Sequence, residues 1–143
     1  MPDIDEMKVG DSAEMAKTVT EADIVAFAGI TGDFNPVHID AVAAKASMFG
    51  ERIAHGILSA GFISAVIGTR LPGPGCIYLS QTLRFTKPVR IGDTVTARVE
   101  VIEVLAAKRR VRLATMCRNQ NEELVVEGEA VVMMGKTTRG EGS

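Results

Sequence analysis

Two short stretches of this chain carry residue types that move protons. The first, GDFNPVH at 32–38, sets Asp33 five residues before His38, with Asn35 and Pro36 between them. The second, AHG at 54–56, places the other histidine of the chain, His55, beside a glycine. A carboxylate and an imidazole that share one water form an acid/base pair. Imidazole is the side chain best suited to exchange a proton at neutral pH, and a nearby carboxylate can orient it. Pro36 sets its own φ and confines Asn35 to extended geometry. The spacing therefore predicts a stiff, non-helical segment that holds Asp33 and His38 in a defined relation. The plainer alternative is that Asp33 serves a turn and His38 bonds a backbone carbonyl.

Gly56 opens GILSAGFISAVIGTRL at 56–71, which is apolar almost all round and has no charge before Arg70. A helix there must be buried on most sides. Its N-terminus presents unpaired N–H groups and positive partial charge. Glycine at that end lets a ligand oxygen approach the backbone, as in an oxyanion hole. The alternative is that His55 and Gly56 only start the helix. Ser64 lies about two turns along it. A serine there either bonds back to an i−4 carbonyl or faces the site. Gly61 and Gly68 each cost helix propensity, about 1 kcal/mol relative to Ala. They fit a place where another backbone passes close by.

The elements around these stretches follow from pattern. Thr20 and Asp23 form a capping box for TEADIVAFAGIT, with Gly29 and Gly32 expected to end that helix. Asp40 caps a short Ala-rich helix. PGPG at 72–75 stops the apolar helix. Strands are predicted over 76–85, 93–104, 109–118 and 124–134, with 12–20 as a further one. Val95, Ala97, Val99 and Val101 alternate with polar neighbours, the mark of a strand with one face on a core. The links LAAK and NQNEE are short enough to join antiparallel neighbours, and KPVRIGD joins the first pair. The basic run KRRVR at 108–112 reads as a solvated strand face. One buried helix followed by antiparallel strands makes an α+β domain with the sheet curled around the helix.

Composition narrows the function classes. The chain's 143 residues suit one domain, expected over 1–136 with 137–143 as a flexible tail. There is no Trp, one Tyr and five Phe, which disfavours nucleic-acid binding by stacking. The net charge of −2 creates no basic field for a polyanion. Cys76 and Cys117 are isolated, without metal-ligand spacing, and fit a reducing compartment. No signal-peptide pattern and no membrane-spanning run are seen, so a cytoplasmic protein with no membrane partner is expected. HExxH, a phosphate-binding loop and G-x-S-x-G are all absent.

FAGITGDFNPVHID at 27–40 closely resembles the signature of the MaoC-like dehydratases, the (R)-specific enoyl-CoA hydratases. AHGIL, IYLSQTLRFTKPVRIGDTV and EGEAVV also look like that family, so the resemblance covers roughly 8–134. It implies a hot-dog fold, a sheet wrapped around a long central helix, usually as a homodimer. It implies that Asp33 and His38 are the catalytic pair and that Gly56 supplies the oxyanion-hole N–H. Ser64 matches a helix serine associated with the site, and Asn35 supports the loop. The implied reaction is reversible syn hydration of trans-2-enoyl-CoA to (R)-3-hydroxyacyl-CoA. No metal and no separate cofactor are expected, CoA being part of the substrate. The division of labour between Asp33 and His38 stays open. So do a branched or dicarboxylic acyl substrate, a hot-dog thioesterase and a non-catalytic acyl-CoA-binding module.

Overall fold

The computed structural model describes residues 3–134. The expected tail at 137–143 lies outside them. Alternation gives the strands their two faces. In β4 (Thr94–Leu105), Val95, Ala97, Val99 and Val101 are fully buried, and the residues between them are partly exposed. In β5 (Arg110–Arg118), Val111, Leu113 and Cys117 repeat the pattern. Arg112 lies on the other face between Glu103 and Glu129, so the basic run is a solvated strand face as expected. β1 (Ser12–Thr18), β2 (Ile77–Gln81), β3 (Arg84–Phe85) and β6 (Leu124–Met133) complete one antiparallel sheet. Its order is β1-β4-β5-β6-β2, with β3 also on β6.

Two expectations about connectivity are corrected. The strand expected over 76–85 is broken in two, because Gly128 of β6 passes so close to Thr82 that no side chain fits between them. KPVRIGD does not join neighbours. It crosses from the β6 side of the sheet to β4, which pairs with β1 and β5.

The apolar run forms α4 (Gly56–Thr69), which packs against β1, β4, β5 and β6. Ile63, Val66 and Ile67 are buried there, each worth roughly 1.5–3 kcal/mol of transfer free energy. This sheet around a helix is the α+β, hot-dog architecture expected. The helix is not buried all round within the chain, however. Ile57, Gly61, Ser64 and Gly68 form an open stripe. Their spacing of four, three and four residues puts them on one face. Among the described residues a Cβ at Gly61 or Gly68 would meet nothing within 4 Å, so no backbone among them explains those glycines.

Three helices precede α4: α1 (Glu21–Thr31), α2 (Pro36–Ile39) and α3 (Ala41–Lys45). The capping box of α1 forms as expected, with Thr20 Oγ1 accepting from the Asp23 amide and the Asp23 carboxylate accepting from the Thr20 amide. Gly29 does not end α1. The helix runs on to Thr31, and Gly32 caps it at φ 82°, a left-handed conformation that glycine adopts without strain. No helix among the described residues is long and apolar enough to cross a membrane.

Candidate active site

The segment expected to be non-helical is in part a helix. Asn35 caps α2, its side-chain oxygen accepting from the Val37 amide at 3.2 Å. Pro36 takes the first helical position, where its missing N–H costs nothing and its fixed φ suits the helix. The rigidity expected of the segment survives by another route. One turn of helix carries His38, while Asp33 sits before the cap on the loop that leaves α1. Asp33 Oδ1 accepts from the Asn35 amide at 3.1 Å, which ties the loop to itself.

GDFNPVH and AHG meet in space. His38 is buried, and its Nδ1–H donates to the carbonyl of Ile53 at 2.7 Å. A carbonyl can only accept, so Nδ1 carries the proton and the neutral ring presents Nε2 as an acceptor. The main chains are joined as well, with the Ile53 amide donating to the Val37 carbonyl at 3.2 Å. Arg52 adds a clamp that its place in the sequence does not announce. Its Nε donates to the His38 carbonyl at 2.7 Å, and its guanidinium pairs with Glu21 at the start of α1.

A ring nitrogen of His38, a ring nitrogen of His55 and a carboxylate oxygen of Asp33 lie within 4.8 Å of one another. One water hydrogen-bonded at both ends spans up to about 5.6 Å, so groups within this distance are in reach of one shared water. The same three groups are ligand types for a divalent cation. Sequence places His55 only at a helix start, yet it is 3% exposed and stacked on His38, with ring centroids 3.9 Å apart.

A cavity of about 460 Å³ lies beside these residues, lined by His38, Gly56, Ser59, Phe49, Phe85 and the segment Thr86–Val89. Gly56 is the first residue of α4, and its N–H donates to no backbone carbonyl among the described residues. The preceding residue offers no side-chain cap, so the helix end is open for a ligand oxygen. Ser64 does not join this group. It lies on the open stripe of α4, and the buried serine on the cavity wall is Ser59 instead. Asp33 is exposed and stands next to the cavity rather than in its wall. Lys87 lines the cavity and pairs with Glu123.

With this geometry in view, the likeness to known proteins becomes specific. Residues 6–126 match the family described as MaoC like domain. The chain is 53% identical to an (R)-specific enoyl-CoA hydratase of Rhodospirillum rubrum, over 91% of this chain and 90% of the relative. It is 50% identical to a 3-hydroxybutyryl-CoA dehydratase of Methylorubrum extorquens, over 92% and 83% of the two chains. Among solved structures, the unliganded R-hydratase PhaJ1 from Pseudomonas aeruginosa superposes with a TM-score of 0.89 at 50% identity, covering 94% of this chain and 86% of that one.

Proposed function

This chain belongs to the MaoC-like domain family, and from that premise we propose that it catalyses reversible hydration of trans-2-enoyl-CoA to (R)-3-hydroxyacyl-CoA. The observation that carries the reading is the juxtaposition of Asp33 and His38 beside a cavity whose wall includes the open N-terminus of α4 at Gly56. A hydratase and a dehydratase among its relatives name the two directions of one equilibrium.

The chemistry follows from the donors and acceptors. The thioester oxygen of the substrate accepts from the Gly56 N–H at the positive end of α4. Water sits between the Asp33 carboxylate and His38 Nε2, both of which accept its protons. Its oxygen bonds C3, and the C2=C3 π pair shifts toward the thioester oxygen. That charge is what a preorganised helix-end donor stabilises. The enolate then collapses and takes at C2 the proton that the pair removed from water. Both new bonds form on the face turned to Asp33 and His38, so addition is syn and one enantiomer results. The assignment of that enantiomer as R rests on the relatives. No step draws on a metal or a redox group. Asn35 supports the pair by tying Asp33 to the cap of α2.

We place a second copy of the chain on the open stripe of α4. Gly61 and Gly68 suit close approach of another backbone, and among the described residues nothing would meet a Cβ at either. Ser64 then lies at the seam between subunits, and its association with the site runs through the dimer.

The test is product analysis with crotonyl-CoA in D₂O. The expected product is (R)-3-hydroxybutyryl-CoA with deuterium at C2 on the face that received oxygen. A racemic or (S) product would overturn the assignment. Release of free thiol without loss of the double bond would indicate a thioesterase.

A further inference from the structure

We infer that His55 is the positioning residue of the acid/base pair: it holds the Asp33 main chain by a hydrogen bond and the His38 ring by stacking, without touching substrate. This rests on the hydratase reading above. His55 occupies the cap position of α4, yet its side chain does not cap the helix. It turns back instead, and its Nε2–H donates to the main-chain carbonyl of Asp33 at 2.9 Å. Among the described residues this is the hydrogen bond that reaches Asp33 from distant chain; the others run to its near neighbours Thr31 and Asn35. The two imidazoles lie nearly parallel, at 29°, with Phe27 tilted against His55 from 4.8 Å. The His38 ring is thereby held in plane by His55 and in rotation by its bond to the Ile53 carbonyl.

Packing alone does not account for a histidine here. Nδ1 of His55 is buried with no hydrogen-bond partner among the described residues, and an unpaired buried nitrogen opposes stability. A phenyl ring would fill the same space and stack on the same neighbours without that cost. What phenyl lacks is the N–H that reaches Asp33. The His55 side chain turns away from the cavity wall, which Ala54 and Gly56 on either side of it line. Its place in the chain joins the parts of the site: it directly precedes the Gly56 donor, fixes Asp33 and supports His38.

The experiment compares the wild-type protein with His55→Phe and His55→Gln in three measurements: thermal melting, kcat and KM for crotonyl-CoA hydration, and ¹⁵N imidazole spectra. With two histidines in the chain, the spectrum of His38 stands alone in either variant. His55→Phe is expected to melt no lower than wild type, to keep KM within about twofold, and to lose about 10-fold or more in kcat, the scale of a misplaced reacting group. His55→Gln, whose amide can donate to the Asp33 carbonyl, is expected to recover at least about threefold of that loss. A purely structural role would lower melting and spare the kcat of the folded fraction. A folded His55→Phe with kcat within about twofold of wild type would overturn the inference. The spectra read it without turnover. Wild-type His38 should show the single Nδ1–H tautomer, and His55→Gln, which lacks the stacked ring, a mixture. An unchanged single tautomer counts against the inference. A wild-type protein with no hydratase turnover would sink the functional reading instead, and the spectra alone would then decide the positioning role. If His55→Phe fails to fold, His55→Gln decides: reduced kcat at unchanged KM supports the inference, and a full wild-type kcat with an unchanged His38 spectrum overturns it.

Discussion

The ring of Phe85 fills the space that a side chain on Gly56 would need: a Cβ built there would stand 2.7 Å from Phe85 Cδ1. The two residues come from β3 and the first turn of α4, and both line the cavity. Glycine at 56 therefore serves two ends. It leaves the helix-end N–H open, and it lets an aromatic ring form the wall directly beside it. In Gly56→Ala the ring must move. Phe85 is 49% exposed, so it can swing, and the volume it sweeps belongs to the cavity. We expect kcat/KM to fall about 10-fold or more, with the melting temperature little changed. Phe85→Leu in the same chain should restore part of the loss by removing the clash. Steady-state kinetics on the two single variants and the double variant check this, and an unaffected Gly56→Ala would show that the Phe85 ring shapes no part of the substrate site.

Asp33→Asn and His38→Ala should each lower kcat by at least about 100-fold, the scale of a positioned acid/base group. Asp33→Asn leaves folding intact, because Asp33 is exposed and its side chain accepts only from the Asn35 amide, a bond that the carboxamide oxygen of the variant can keep. His38→Ala removes a buried ring and its bond to Ile53, so some loss of melting temperature is expected with it. Asp33→Asn is for that reason the cleaner test. Circular dichroism and turnover on the same samples separate the two effects, and near-normal turnover in folded Asp33→Asn would remove Asp33 from the mechanism.

The strands are legible in the sequence because alternation is local. Val95 to Val101 declare a buried face without reference to any other element. The break at Thr82 is not legible, because its cause is Gly128, on another strand. The helical turn at Pro36–Ile39 is hidden because one proline has two effects that fall on different residues. It keeps Asn35 out of the helix, at ψ 126° as expected, and it opens a helix at its own position, which the reading of the segment as wholly non-helical missed. Asp33, His38 and Gly56 can be named from sequence because their residue types announce their chemistry. His55 stands in plain sight beside Gly56, but its work depends on meeting Asp33 across 22 positions of chain, and spacing carries no such information. Ser64 comes only from resemblance, and within the chain it is not part of the cavity wall.

Cys117 supplies a pH-dependent contribution with a definite sign. It is fully buried, its thiol donates weakly to the Ser59 carbonyl, and burial pushes its pKa up to about 12 from an ordinary value of 9.0. The folded state thus binds this proton more tightly than the unfolded state. The resulting stability is fully present below pH 9.0 and is lost as pH rises from there toward about 12. Melting temperature should fall on raising pH through this window, and fall less in Cys117→Ala. At about pH 8, below the ordinary thiol pKa, an alkylating reagent should leave Cys117 unmodified in the native protein and modify it after denaturation. Mass spectrometry of native and unfolded samples checks this, and rapid native labelling at Cys117 would contradict the burial.

The stripe Ile57, Gly61, Ser64 and Gly68 makes a prediction whose sign distinguishes a monomer from a dimer. Among the described residues of one chain a Cβ at Gly61 would meet nothing within 4 Å, and replacing the glycine would improve helix propensity by roughly 1 kcal/mol. In a monomer Gly61→Leu is therefore neutral or stabilising. In a dimer whose helices approach through that stripe, the same leucine forces the subunits apart. The edge strand β2 points the same way. It pairs only with β6, and Ile77, Tyr78 and Leu79 are 46%, 38% and 42% exposed, an unpaired apolar edge that a two-fold copy could extend. Light scattering of the wild-type protein at micromolar concentration should give twice the chain mass of 15.2 kDa. Gly61→Leu and Leu79→Lys should each shift that mass toward a single chain and lower turnover with it, since Ser64 would lose its place at the seam. A fully active wild-type sample at the mass of one chain would refute the dimer and leave Gly61 and Gly68 without a physical account.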